Sequence, residues 1–564
     1  MGEKILSPGV FQNESDQSLV QGGIQGTATA IVGPTVLGQP YVPTYVTSYS
    51  EYVSKFGETF KSGSYYYEYL TSLAAKDFFQ NGGQTLLVTR IISGSANFST
   101  YATSSIAASS GASFTLETIA WGDQMNSTSP EVSGALSSGS ATNVRWEITN
   151  VNTGSGIFSL AVRAGNDNNA QKNYLETWTN LSLDPMLPNF ISRVIGDLKP
   201  VYDATNNIIT YTGSYSNVSQ YIRVRSITTP HVDSIDNNGL FKSSSFAASL
   251  PILGSGSFNG GVAATAAAQL MNEAITATNI QGFAPADYTT ALNILSNSDD
   301  YKFNVLIAPG VGLDCSAAST MISTVENRGD AIAIVGAGVY GTSVATAANV
   351  AAGQSSNYAA CYYPWVQLYS TNLGKAVWCP PTTAMAGVFA FNDQVGAEWF
   401  APAGLNRGGV PSVLRAERKL SQSDRDTLYI ANVNPLATFP GEGVVVFGQK
   451  TLQKKATALD RVNVRRLLIA LKDYIGQVAN NLVFEQNTNV TRNRFLSQVN
   501  PYLESVVQRQ GLYAYKVVMD DTNNTPDVID RNQLVGQIYI QPTKTAEFII
   551  LNFNLQPTGA TFPA

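Results

Sequence analysis

Charge is scarce in this sequence. Of its 564 residues only 13% are Asp, Glu, Lys or Arg, about half the ~25% usual for soluble proteins, while 44% are hydrophobic. Histidine is nearly absent. With His231 alone, after Pro230 in a polar stretch, His-built metal sites and Ser-His-Asp triads are removed from consideration. The three cysteines, Cys315, Cys361 and Cys379, are far apart and odd in number, so they form neither a disulfide framework nor a zinc spacing and read as buried thiols. No apolar run approaches the roughly 20 residues that span a bilayer, and Met1–Gly9 has neither a basic nor an apolar signal region, so no membrane insertion and no signal peptide are expected. The net charge of −6 offers no basic stripe to displace counterions from a nucleic acid. A chain so poor in charge is also what results when much of its surface faces neighbouring copies, because interface cores are depleted of charge.

What is present divides along the chain. The length exceeds what one core usually supports, so two to four domains are expected. Residues 1–22 are short, polar and extended in character, with Pro8 and Gly9 against a helix, and form an N-terminal arm. From Gly26 a globular pattern begins: strands at 27–32 and 45–48, a helix at 49–56, a helix over 65–80 ended by Asn81-Gly82-Gly83, and a strand at 85–92. Ser, Thr, Ala and Gly then dominate. Val144, Trp146 and Ile148 on one face and Phe158, Leu160 and Val162 on another read as a β hairpin, so 94–245 is expected as a β-rich insertion. The α/β pattern returns at 303–310 and 331–336. The fold class expected is therefore a multidomain α/β and α+β chain: an α/β middle domain (23–93 plus 246–376), the insertion, and a C-terminal α+β domain (377–564) with extended N- and C-terminal arms.

The chemistry-bearing patterns are weak. Gly336-Ala337-Gly338-Val339-Tyr340-Gly341 has dinucleotide-binding spacing after a strand, yet no Asp or Glu occurs between Asp330 and Asp393 to bind a ribose. Ser421–Asp426 reads as a helix cap with acidic residues in its first turn. Asp520, Asp521, Asp527 and Asp530 have calcium-ligand chemistry without the glycine and glutamate of a calcium loop, and read as a polar hairpin loop. No catalytic residue, cofactor or metal ligand is expected. The helix around 459–484 is more informative: at about 100° per residue, Val464, Leu467, Leu468, Leu471, Ile475, Val478 and Leu482 share one arc. Arg461, Arg465 and Lys472 lie beside it, as a solvated edge or as a contact for an acidic partner. The final strand alternates, with Ile549, Leu551, Phe553 and Leu555 on one face. An apolar strand and a homeless N-terminal peptide are hazards unless paired, within one chain or between copies.

These segments together resemble the contractile phage tail sheath family. Leu6-Ser7-Pro8-Gly9-Val10-Phe11 is similar to the family's start, although Phe11-Gln12 replaces its usual Tyr-Val. Ala30–Pro34 through Val46–Tyr49 to Phe56-Gly57, and Phe78–Gly83 leading to Val88–Ile91, resemble its first strands and helices. The C-terminal third carries the most specific likeness: Pro380–Val388, Trp399–Gly404, Asn432–Pro435, and Gly443–Gly448 with Thr451-Leu452. The insertion lies outside the likeness.

The resemblance implies a structural virion protein, assembled in the host cytoplasm, that polymerises helically around an inner tail tube. Its arms, with Val10, Phe11, Ile549, Leu551 and Phe553, would add strands to neighbouring copies. Arg461, Arg465 and Lys472 would face the tube, and the insertion would face outward. The implied partners are further copies in stacked hexameric rings, the tube protein, and baseplate and tail terminator proteins, with no direct nucleic acid. A virion adhesin centred on 94–245 and an NAD-binding oxidoreductase using 336–341 are the alternatives.

Overall fold

Six strands in the chain are short runs of apolar residues that must be covered on both faces, and they are gathered into one sheet. The computed structural model describes residues 28–93, 101–128, 134–203, 205–228, 230, 234–261 and 270–547. Its main sheet has eight strands in the order Thr44–Val46, Leu86–Arg90, Thr29–Gly33, Val305–Gly312, Ile332–Gly336, Ala359–Tyr363, Val433–Phe439 and Gly443–Val446. The central six are parallel, and the two outermost strands pair antiparallel to them. Thr29–Gly33, Ile332–Gly336 and Ala359–Tyr363 are buried throughout. Helices Leu70–Gln80, Ser316–Arg328 and Pro381–Val395 contribute to the same core, in which Cys315, Cys361 and Cys379 are buried free thiols. This sheet crosses residue 377, where composition suggested a boundary, because Val433–Val446 supplies its last two strands.

The expected helix over 65–80 is two elements. Thr59–Ser62 and Tyr65–Glu68 form an antiparallel hairpin, and the helix begins only at Leu70. The tyrosine run Tyr65–Tyr67 favours a strand, and Gly63, at φ +62°, makes the tight turn between the two strands. The buried Glu68 carboxylate then anchors the hairpin by accepting from Ser72 Oγ (3.0 Å) and Asn372 Nδ2 (2.9 Å). At the other end the helix stops as read: Gly82 lies at φ +88°, and the Gly83 amide donates to Phe78 O at 2.9 Å.

The β-rich insertion has a core of its own, from Ala102, Ile106 and Phe114 to Leu250 and Phe258. The expected hairpin is there, Val144–Asn152 against Ile157–Ala164, with Trp146 opposite Val162 and Ile148 opposite Leu160. Three arginines inside it are fully buried and ion-paired: Arg163 to Asp167 (2.7 Å) and Glu147 (3.0 Å), Arg145 to Asp167 (3.4 Å), and Arg223 to Glu117 (2.5 Å). A third core joins helices Val462–Asn480 and Asn489–Gln508 with the hairpin Leu512–Val518/Gln537–Pro542.

Helix Leu70–Gln80 packs on Pro381–Val395 at Gly387, where an added Cβ would lie 2.3 Å from the Asp77 carboxylate. Asp77 is buried among neutral partners, Ser412, Asn81 and the Gly387 amide, and its burial pushes the carboxyl up to about 7. The folded-state value exceeds the ~3.9 of an unfolded Asp, so the fold favours the protonated form. That contribution to stability is complete below about pH 4 and is lost as pH rises through about 7. Urea midpoints for Asp77→Asn should therefore fall less than those of the parent between about pH 5 and about pH 8; parallel curves would refute the assignment.

Candidate assembly surface

In a doubly wound sheet, ligands bind where the strand order reverses, at the carboxyl ends of the two strands flanking that point. Here that point lies between Thr29–Gly33 and Val305–Gly312. It is filled by the chain itself. Ile280 packs so closely on Gly310 that a Cβ there would meet it at 2.6 Å. The neighbouring Gln281 accepts from the Leu70 amide at the start of a helix (3.0 Å) and donates to Asn272 (2.9 Å). The glycine turn at 336–341 is also occupied, since the Gly341 amide donates to the Glu417 carboxylate at 2.9 Å and Trp365 Nε1 to Gly338 O at 2.9 Å. The Gly341 amide of the turn is thus already taken by a carboxylate of the chain.

The other flagged motifs are likewise structural. Ser421 caps helix Gln422–Ile430 in a capping box with Asp424. In the loop after Val518, Asn523 and Asn524 bridge backbone groups, and Pro526–Asp530 is a short helix. Among the described residues no cluster of acidic, His or Cys side chains could hold a metal ion, and no helix is long and apolar enough to cross a membrane.

The helix read at 459–484 spans Val462–Asn480, and its amphipathic reading captured one of two buried faces. Leu467, Leu471 and Val478 enter the third core, whereas Val462 and Ile469 enter the main one. Arg466, not among the cations singled out from the sequence, is only 2% exposed and grips Asp393 with two hydrogen bonds (2.7 and 2.6 Å), its guanidinium 4.9 Å from the Phe389 ring. The three singled-out cations diverge. Arg465 is buried, stacks on Tyr358 at 4.0 Å and donates to Asn357 at 2.8 Å. Lys472 is exposed, with Nζ 3.4 Å from the Tyr358 hydroxyl. Arg461 turns to the C-terminal segment, donating to Glu547 through Nε (2.6 Å) and Nη2 (3.0 Å). The separation of 86 residues hid that last pair from any local pattern.

Beside these residues the hairpin Leu512–Val518/Gln537–Pro542 stands as a two-stranded sheet; among the described residues no third strand joins either edge. Tyr515, Val517, Ile538 and Ile540 rest on the third core, while Tyr513 and Tyr539 face outward and are more than half exposed. A groove of about 1020 Å³ runs next to it, walled by Trp399, Phe400, Phe447, Tyr513 and Glu547. Val10, Phe11, Ile549, Leu551 and Phe553, and with them most of the expected last strand, lie outside the described residues.

Residues 281–452 match the family model for the phage tail sheath protein central domain, and residues 454–556 that for the phage tail sheath C-terminal domain. The tail sheath protein of Vibrio phage KVP40 is 43% identical over 185 residues, covering 33% of this chain and 28% of that protein. That of Enterobacteria phage T4 is 41% identical over 185 residues, with 33% and 28% covered. The chain is similar to phage tail sheath proteins over these two domains. The family is one of structural sheath proteins, and its matches favour neither the adhesin nor the oxidoreductase reading. The matched stretch spans 28% of the length of these two sheath proteins. A sheath tail protein from Listeria innocua has the same fold, with a TM-score of 0.54 at 11% identity over 92% of this chain and 96% of that one. The boundary between the two sheath family models falls just before helix Val462–Asn480, the element that enters both cores.

The Arg466–Asp393 pair makes an asymmetric expectation. Asp393 keeps 30% of its side-chain exposure, whereas Arg466 keeps 2%, so removing the acid strands a buried cation. Asp393→Ala should cost ~3 kcal/mol or more in urea unfolding, against about 0.5 kcal/mol for an ordinary surface change. A cost within that ordinary range would show that Arg466 is not held by this pair.

Proposed function

We propose that the chain is a structural subunit of a contractile tail sheath. It polymerises helically, in stacked hexameric rings, around an inner tail tube and contracts to drive the tube through the host envelope. The single observation that carries this reading, beyond the two sheath-domain matches, is the two-stranded sheet with both edges open among the described residues. An unpaired edge beside a groove walled in part by aromatic side chains is a template for strand addition. The segments proposed to fill it are the arms of neighbouring copies, through Val10 and Phe11 at one end and Ile549, Leu551 and Phe553 at the other. Such contacts are heterologous and do not close on themselves, and so generate a helix.

Contraction needs no nucleotide on this reading. Rigid blocks held by tethers can exchange one packing for another, and a gain of a few hundred Å² of interface per subunit is worth on the order of several kcal/mol at ~25 cal/mol/Å². Buried area overstates net association energy, but the gain repeats along the whole sheath. Of the three cations proposed to face an acidic surface of the tube, Arg461, Arg465 and Lys472, Lys472 is the exposed one and the first contact on this reading, and the insertion, which has its own core, would face outward. Baseplate and tail terminator proteins would meet the two ends of the tube of subunits in the virion.

Removing residues 1–15 should leave a folded monomer that forms no tubes in negative-stain images, and normal sheaths from that chain would refute the arm role. Lys472→Glu should weaken loading onto purified inner tubes; undiminished loading would reduce that face to ordinary surface.

A further inference from the structure

The last described residues leave the hairpin and cross to a different part of the molecule. After Pro542, Thr543 is tied back to the hairpin's start, its hydroxyl donating to Gln510 O (2.7 Å) and its amide to Gly511 O (3.2 Å). Four residues on, the Glu547 carboxylate receives donors from three separate elements. Oε1 accepts from Arg461 Nε (2.6 Å), at the start of the long helix, and from Gln449 Nε2 (3.1 Å), in the loop after Gly443–Val446. Oε2 accepts from Arg461 Nη2 (3.0 Å) and from the Tyr429 hydroxyl (2.8 Å), at the end of Gln422–Ile430. The clamp is itself braced. Lys450 lies 3.7 Å over the Tyr429 ring and donates to the Tyr429 carbonyl at 2.8 Å, and Asp460 holds the far side of Arg461 at 3.1 Å.

Burial alone would raise the Glu547 carboxyl, but the Arg461 guanidinium and the Tyr429 hydroxyl hold it below the usual carboxylate range, so it is ionised. A strap of five residues is thus fixed at both ends and forms part of the wall of the groove. Immediately after it the sequence turns apolar: Phe548-Ile549-Ile550-Leu551.

We propose that the Glu547 clamp is a root pin: it fixes where and in which direction the C-terminal segment leaves the body, so that a second copy meets a positioned strand instead of a loose tail. The proposal rests on the strand-adding reading above. Its physical basis is effective concentration. A tether released at Pro542 would let the apolar segment explore a volume set by five further residues, whereas one pinned at Glu547 aims it, and the entropy of ordering the root is lost before assembly. Four donors on one carboxylate, supplied by elements of both the main sheet and the long helix, also make the exit direction follow the body when subunits repack.

The test uses the full chain. Glu547→Gln, Arg461→Gln and the milder Tyr429→Phe are compared with the reversed pair Glu547→Arg/Arg461→Glu, by hydrogen exchange of the monomer and by the concentration at which tubes form. The two charge-removing variants should speed exchange of the 543–547 amides by about tenfold, with Leu512–Val518 unchanged, and raise the assembly threshold by about as much. Tyr429→Phe should fall between, and the reversed pair should recover both readouts. Unchanged exchange in the charge-removing variants would overturn the clamp. Faster exchange with an unaltered threshold would overturn its role in presenting the strand. A chain lacking 548–564 that still forms tubes would sink the strand-adding reading itself, recognisable because the exchange signature of the clamp would persist.

Discussion

Helix Val462–Asn480 is buried on two sides, and most of what lies beyond it depends on that. Val462 and Ile469 belong to the core of the eight-stranded sheet, and Leu467, Leu471 and Val478 to the core of the C-terminal helices and hairpin. A helix wedged between two cores has little free surface for charge near its start. Arg466 is accordingly neutralised by Asp393 from helix Pro381–Val395, and Arg465 is stacked on Tyr358 and bonded to Asn357. Arg461 at the helix start is satisfied by Asp460 and Glu547. The open hairpin, the groove and the strap are therefore positioned from one rigid element.

The main sheet has a doubly wound topology whose two usual ligand positions are occupied by the chain itself. Its crevice at the reversal of strand order is packed by Ile280 and Gln281, and the glycine turn at 336–341 holds Glu417. Fold and function separate here on physical grounds: the Leu70 and Gly341 amides at these two positions already donate to side chains of the chain. The surfaces left with unmet bonding capacity are at the periphery. There the hairpin strands present open edges, with Tyr513 and Tyr539 on the outward face. Open edges are a liability in a monomer and an asset in a protein that polymerises, and the low charge of the chain is consistent with such contacts.

Local pattern was a good guide wherever one face of an element was buried and its chemistry lay within one turn. Strands Thr29–Gly33, Leu86–Arg90 and Ile332–Gly336, the hairpin Val144–Asn152/Ile157–Ala164 and the cap at Ser421 all follow from periodicity or turn residues. The reading failed at 65–80, where Tyr66, Tyr69, Leu70 and Leu73 fall near helical spacing while Tyr66 belongs to a strand. Aromatic runs satisfy both periods over so short a window, and the turn at Gly63 decides between them. Arg466 escaped notice for a related reason. A charged residue opposite an apolar arc looks solvated until a second core is known to cover it.

The order of strands and helices in the middle of the chain, the hairpin Val144–Asn152/Ile157–Ala164, the amphipathic helix near residue 470 and the likeness to tail sheaths were determined by sequence alone, because each depends on neighbours within a few residues or on a linear order of motifs. The filling of the strand-reversal crevice, the joining of two cores by one helix, the Arg466–Asp393 pair and the clamp on Glu547 were decided only by tertiary structure. The Arg466–Asp393, Arg461–Glu547 and Leu70–Gln281 contacts span 73, 86 and 211 residues, and no local periodicity carries information over such distances.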